Sequence, residues 1–447
     1  MNRLFIPFLL LLAGCTPDTS RNYLRLPFQG PPEYAPPEMT LLEKANFFQQ
    51  LLEQDHLAPN GLLIYKRNLI YEAKVGFCYG SLSDTPIWGG CHLAAESFRY
   101  AVTKSPEALA AVRKSVKSLH LLQKIHGISG LLARHIAPKD DPIAAPRMGK
   151  EEWQKGVGEF ADWIWRANVS KDQYSGMIFG YGAAYDLVDD EEIRKLIHRD
   201  MTAIADFLIK NEYRIIDYDG KRTKYHSMRA RIGPIPIGVH ALMSLAAIKI
   251  AHRVSGEERF EKEYRRLIRR RWPQATWLVK FQLFGKTNHN NDNMGFLSYY
   301  NILRLENDPK IRRHYDKSIK RTWKYIRHEG NSFWTFIHLA NGGSDDSARE
   351  DARLQLRNFP ASKRRIGVDS RGRTDIELGR YKNRSNVRKA KYPLPINLRA
   401  RTSFDWKICP YGITSFLGSK GNIQSAPVDF LLAYWMGRYH GIIRESD

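Results

Sequence analysis

Asp172-Gln173-Tyr174-Ser175-Gly176-Met177-Ile178-Phe179-Gly180-Tyr181-Gly182-Ala183-Ala184-Tyr185-Asp186-Leu187-Val188 reads as a helix that is apolar on nearly all sides and rich in small residues. That is the pattern of a helix buried all round. Asp189-Asp190-Glu191-Glu192 follows as a cap and acidic first turn, and Ile193, Leu196, Ile197, Met201, Ile204, Phe207 and Leu208 then recur at three- and four-residue spacing. This second helix is amphipathic, with one apolar face.

The same pair recurs along the chain. Asp84-Thr85-Pro86-Ile87-Trp88 leads into the run Cys91 to Val102, then Ser105-Pro106-Glu107 starts a stripe of Leu109, Val112, Val116, Leu119 and Leu122. Ile235 to Val254 precedes Phe260, Tyr264, Leu267 and Ile268, and Asp292 to Leu305 precedes Asn307-Asp308-Pro309 and Ile311, Tyr315, Ile319 and Ile326. The spacing is irregular, so the repeat is structural. Its packing solution is an all-α ring, with the apolar helices inside and the amphipathic ones outside. One or two small β-hairpins are expected beside it, Leu62–Tyr65 with Leu69–Tyr71 and Tyr213–Tyr218 with Asp219-Gly220 as its turn.

Antiparallel hairpins place every inner-helix N-terminus on one rim, which makes the polar residues before those helices the candidate site. They are Asp84, Asp172, Tyr174, His289, Asn290, Asn291 and Asp292 for chemistry, and Trp88, Gln173, His226 and Arg229 for substrate contact. Asn288-His289-Asn290-Asn291-Asp292-Asn293 is more polar than a single helix cap requires, and a helix N-terminus favours anionic or hydroxyl ligands.

With Asp-x-x-x-Trp-x-Gly, Asp-Gln-Tyr-x-Gly and an Asn/His-rich loop before inner helices, the stretch from Asp84 to Leu339 resembles the (α/α) toroid carbohydrate-active enzymes, the six-hairpin glycosidases and toroid polysaccharide lyases. The toroid alginate lyases carry an Asn-Asn-His cluster before a helix, matched here in residue type. The resemblance implies action on an acidic, uronate-containing polysaccharide by lyase-type elimination, with a glycoside hydrolase and a non-catalytic glycan-binding protein as the alternatives. In a lyase, Asn290 or Asn291 neutralises a uronate carboxylate and Tyr174 or His289 removes the adjacent proton. In a hydrolase, two of Asp84, Asp172 and Asp292 act as acid and base. In a non-catalytic receptor, Trp88 and Tyr174 stack on sugars.

The formal net charge of the 447 residues is +23, which points to a polyanionic partner, an acidic polysaccharide or envelope glycan. Between Arg349 and Arg401, sixteen basic residues face five acids with little apolar periodicity, which predicts a solvated basic insertion at about 345–401. Val428–Tyr439 reads as a buried helix closing the ring. No zinc, zincin or phosphate-loop motif is present, so no metal or cofactor is expected.

The first residues read as an address. Asn2-Arg3, the apolar stretch Leu4–Leu12 and Leu12-Ala13-Gly14-Cys15 resemble the bacterial lipoprotein signal. This implies removal of residues 1–14, a lipid on Cys15 and, with Thr16 following, the outer membrane of a Gram-negative cell. Export makes nucleic acid an unexpected partner. Residues 15–38 then form a proline-rich tether and 39–447 one toroid domain. Export also permits a disulfide, for which Cys78 and Cys91 close a short loop.

Overall fold

The structure, a computed structural model, describes residues 23–27, 35–80, 82–150, 152–280, 289–383, 385–415 and 420–447. Cys15, residues 1–14, Asn288 and part of the expected tether lie outside the described residues. The described helices are α1 (Leu41–Asp55), α2 (Leu69–Val75), α3 (Thr85–Thr103), α4 (Pro106–Lys124), α5 (Lys171–Leu187), α6 (Glu191–Lys210), α7 (Gly238–Ser255), α8 (Glu258–Arg269), α9 (Trp272–Ala275), α10 (His289–Leu305), α11 (Pro309–Ile326), α12 (Ser332–Ala340), α13 (Asp346–Arg357) and α14 (Val428–Tyr439).

The four hairpins expected from sequence are present as α3/α4, α5/α6, α7/α8 and α10/α11. Their outer helices start where the caps were read. Ser105 Oγ accepts from Ala108 N (3.1 Å), Asp190 Oδ1 from Ile193 N (2.9 Å) and Asp308 Oδ1 from Lys310 N (2.8 Å). Two further pairs complete the ring: α12 with α13, and α14 with α1 from the other end of the chain. Inner helices α3, α5, α7, α10, α12 and α14 pack in that order, and α14 closes on α3. The fold is therefore an all-α toroid, closed by the helix expected to close it.

Inner helices α3 and α5 approach closely because glycines meet at their crossing. A Cβ on Gly90 would stand 2.0 Å from the Gly176 carbonyl oxygen, and one on Gly180 2.3 Å from that of Gly90. At the C-terminal ends, Asp186 of α5 accepts from Arg253 of α7 (3.0 Å) and from Arg304 of α10. The N-termini consequently share the opposite rim, where Gln173 Oε1 of α5 accepts from Ile87 N of α3 (3.3 Å).

Strands fill the connections on that side. His135–Pro138, Trp163–Arg166 and Trp153–Lys155 form a three-stranded antiparallel sheet between α4 and α5. Between α6 and α7, Arg214–Ile216 pairs with Arg222–Ser227 around Gly220 (φ +76°), as its turn predicts. Arg231–Ile232 pairs there with Ile235–Pro236. The other expected hairpin does not form. Asn68 caps α2 by accepting from Tyr71 N (3.1 Å), and Lys66–Asn68 pairs instead with Ile423–Ser425. A local polar turn was legible there, but a partner strand more than 350 residues away was not.

The basic segment is folded and not a solvated loop. It contributes α13, a hairpin of Leu378–Lys382 with Arg388–Ala390, and Ile376, Tyr392, Leu394 and Leu398 of a small apolar cluster that Ile413 completes. Tyr23 joins that cluster edge-on to Tyr392 (5.0 Å), so part of the expected tether is packed on the domain. Three of the segment's cations, Lys363, Arg399 and Arg401, are buried. Lys363 Nζ lies 3.1 Å from Asp405 Oδ2 and 2.8 Å from Asp429 Oδ2, and Arg401 adds a second cation at 3.4 Å from Asp405. Cys78 and Cys91 are free thiols, so the Cys78–Cys91 disulfide is absent. Burial pushes the Cys78 thiol up to about 12 and the Cys91 thiol higher, which leaves both protonated and unreactive. No described helix is long and apolar enough to cross a membrane.

Candidate functional site

The residue preceding α3 is Asp84, and its carboxylate does not cap the helix. Arg134 Nη2 (2.9 Å) and Gln173 Nε2 (3.0 Å) both donate to its Oδ1, leaving Oδ2 free in a side chain that is 28% exposed. Arg134 also donates from Nε to the Ser83 carbonyl (2.9 Å), so a single guanidinium fixes the entry to the helix and the acid together. Gln173 is fully buried and holds Ile87 N with its other amide atom, which ties Asp84 to α5. Asp172 sits one residue earlier in the first turn of α5 and is half-buried; its carbonyl accepts from Ser175 Oγ (2.7 Å), while its carboxylate accepts no hydrogen bond from the described residues. Both expected acids therefore stand on adjacent inner helices, and neither is spent on a cap.

Cations surround the pair. Lys407, from the chain that crosses the rim between Arg399 and Lys407, feels both Asp84 and Asp172. It lies 4.6 Å over the Trp88 ring. Lys66 faces Asp84, Arg365 and Lys407. Neither Lys66 nor Lys407 makes an ion pair or hydrogen bond with its ammonium among the described residues, though both are half-buried. Burial first, then the neighbouring cations, lowers Lys66 to about 8, and burial lowers Lys407 as well. Half-buried cations without anions are costly. Here they form a basic cradle beside two carboxylates.

Several expected residues lie elsewhere. Tyr174 is fully buried and donates to the Gly130 carbonyl (3.0 Å), and burial raises its hydroxyl well above the ordinary tyrosine value. It is a core residue, neither base nor sugar platform. Trp88 is also buried, stacked on Phe404 (4.9 Å) beneath Lys407, so it shapes the site from below. Gln173 is a positioning residue and not a substrate contact.

His289 and Asp292 belong to a closed network at the start of α10. His289 Nε2 is 2.9 Å from Glu329 Oε2, its ring stacks on Trp334 (5.7 Å), and Asp292 pairs with Lys280. All four charged or imidazole groups are buried. Burial raises the Asp292 carboxyl. Burial works the same way on Glu329, but His289, Lys280 and Arg399 outweigh it and hold that carboxyl below the usual range. Asn290 is exposed and Asn291 half-buried on the outside of this network. The asparagine-rich run is thus a structural start for α10, and the structure does not bring His289 or Asp292 to the two aspartates.

His226 is half-buried with Nδ1 2.9 Å from the Thr223 carbonyl, and Arg229 lies near Glu212 (3.9 Å). Both sit in the α6–α7 connection. His226 borders His240 of α7, which also faces Lys171, so this connection reaches the same rim beside Asp172. Sequence reasoning missed Lys66, Arg134, Arg365 and Lys407. They come from four distant segments, and only a shared electrostatic neighbourhood unites them. Among the described residues no group of histidine, cysteine and acidic side chains is arranged to hold a metal ion.

No known protein family matches the sequence, and no curated protein does. Solved structures share its course at low identity. A sugar epimerase from a ruminal bacterium is 11% identical with a TM-score of 0.47, over 92% of this chain and 100% of its own. The family GH76 α-mannanase of Bacteroides thetaiotaomicron is 8% identical with a TM-score of 0.49, over 90% of this chain and 96% of its own. A family 88 glycosyl hydrolase of Bacteroides vulgatus is 11% identical with a TM-score of 0.42, over 90% and 98%. These are solved structures to which the chain is similar, and its functional reading rests on the rim.

Proposed function

We propose that this chain is a carbohydrate-active enzyme that hydrolyses a glycosidic bond in an anionic glycan. The observation that carries the reading is the pair Asp84, just before α3, and Asp172, in the first turn of the neighbouring α5, neither side chain capping its helix and both near one cation, Lys407. Hydrolysis needs two carboxyl groups flanking the scissile bond, one to protonate the leaving oxygen and one to activate water or attack. Arg134 and Gln173 hold Asp84 with Oδ2 free, the arrangement of a fixed anion. Asp172, with no donor on its carboxyl, supplies the proton. Lys66, Lys407 and Arg365 neutralise a carboxylate or sulfate on the bound sugar. Elimination is less well supported, because Tyr174 is spent on the core and His289 on Glu329. As a further part of this reading, the mature chain is held at the cell envelope by a lipid on Cys15.

Incubation with uronate-containing, sulfated and neutral polymers tests this. New reducing ends without near-ultraviolet absorbance, on anionic polymers alone, are expected. Absorbance from an unsaturated product would replace hydrolysis by elimination, and equal cleavage of neutral polymers would remove the role of the cations. The pH profile carries a second expectation. An anionic sugar needs the Lys66 ammonium charged, and in the free site that charge is lost as pH rises through about 8. Affinity should fall through that range, and Lys66→Met should weaken binding at neutral pH and flatten the fall.

A further inference from the structure

The α6–α7 connection carries an unusual surface. Tyr218, Tyr225, Ile232 and Ile235 are all exposed in it, Tyr225 at 54%, beside an inner-helix rim otherwise lined by charge. Exposed large apolar side chains grouped at one place mark a contact surface. They are interleaved with Arg222, Lys224, Arg229 and Arg231. Tyr225 is the member nearest the acids. Its ring lies 5.7 Å from Lys171 Nζ and 5.5 Å from Lys224 Nζ, and Lys171 immediately precedes Asp172. Neither ammonium is paired with a carboxylate among the described residues, although Lys171 is half-buried and burial lowers it. The strand bearing Tyr225 is fixed to the rim, since Lys224 N donates to Asn168 Oδ1 (2.8 Å) and Asn168 N to Asp217 Oδ2 (2.8 Å).

An exposed aromatic ring with two ammonium groups at 5.7 and 5.5 Å suits a sugar ring that bears an anion, because an open ring face packs on the apolar face of the sugar and the cations take the charge. We propose that Tyr225, Lys171 and Lys224 form an outer subsite for a second anionic sugar, next to the one cleaved at Asp84 and Asp172, so that the protein selects oligomers over single glycosides. The inference rests on the hydrolase reading for its distance from the acids, and on its own surface for the ligand class.

The probes are size-graded oligosaccharides of two to six sugars from alginate, pectin and heparin, with binding followed by calorimetry and cleavage by reducing ends. Wild-type affinity should rise with length for at least one series. Tyr225→Ala should lose about tenfold of affinity for the tetramer, with unchanged thermal unfolding because the ring is exposed, while Tyr225→Phe keeps the ring and the affinity. Lys224→Met should lessen the salt dependence of the same binding. Wild-type-like tetramer binding by Tyr225→Ala, equal loss in Tyr225→Phe, or no wild-type binding to any series would overturn the subsite. The hydrolase reading fails separately. If Asp172→Asn still cleaves while Tyr225→Ala has lost affinity, the acids are misassigned and the subsite stands.

Discussion

Asp172→Asn is expected to lower turnover by about 10² to 10⁴-fold while leaving equilibrium stability close to wild type. The two halves of that expectation have separate causes. The large kinetic effect follows from removing a group that moves a proton in the transition state. The small effect on stability follows from the environment of the side chain, since the Asp172 carboxylate accepts no hydrogen bond from the described residues and caps nothing. A capping aspartate would behave the opposite way, costing about 0.5–2 kcal/mol and sparing activity. Asp84→Asn should match Asp172→Asn in turnover but also lose some stability, because it weakens a charge-assisted hydrogen bond from Arg134. Activity retained in both variants would remove the pair from the chemistry.

The second large effect concerns folding. Lys363 is buried between Asp405 and Asp429, and Arg401 lies 3.4 Å from Asp405. Lys363→Met should cost about 3–5 kcal/mol by urea unfolding, because it strands buried carboxylates beside each other. Asp405 N also donates to Asp429 Oδ2 (2.8 Å), so the cluster links the rim-crossing chain to the start of α14. The pH dependence has a definite sign. Stranded buried carboxyls have folded-state values above their unfolded ones, so they destabilise at neutral pH, and the variant should regain stability as pH falls through the raised values. Adding Asp429→Leu should recover part of the loss at neutral pH, since an apolar replacement of the whole pair is far milder than one missing partner.

The ring was legible wherever a helix carried its own signal. Met177 to Val188 and Ile235 to Val254 are apolar all round, and Ser105, Asp190 and Asp308 announce the outer helices. The α12/α13 pair was not legible, because α12 is only nine residues long and α13 lies inside a basic stretch whose charge conceals its apolar face. The α1/α14 pair joins chain ends, which no local period can reveal. At the rim, placement before an inner helix pointed to Asp84 and Asp172, which stand at the starts of adjacent inner helices. The same rule placed Tyr174 and His289 at the rim, yet both are buried, because residues within a single helical turn point in different directions and position before the helix does not tell which side faces out. Charge composition suggested an anionic partner but not where it sits. The sixteen cations counted near the C-terminal side include Lys363, Arg399 and Arg401, which are buried in the fold, whereas Lys66 and Lys407 of the cradle lie outside that stretch.

The glycine contact between α3 and α5 has a stereochemical consequence. In glycoside hydrolysis the distance between the two carboxyls separates the outcomes, with about 5–5.5 Å giving retention and about 6.5–9.5 Å leaving room for a water and giving inversion. Asp84 and Asp172 hang from the ends of two helices whose backbones touch at Gly90, Gly176 and Gly180. Under the proposed hydrolysis, those glycines would act as a ruler for the chemistry at the rim. A methyl group on any of them would wedge the helices apart and move one acid relative to the other, so the anomeric configuration of the proposed product would depend on residues remote from the acids.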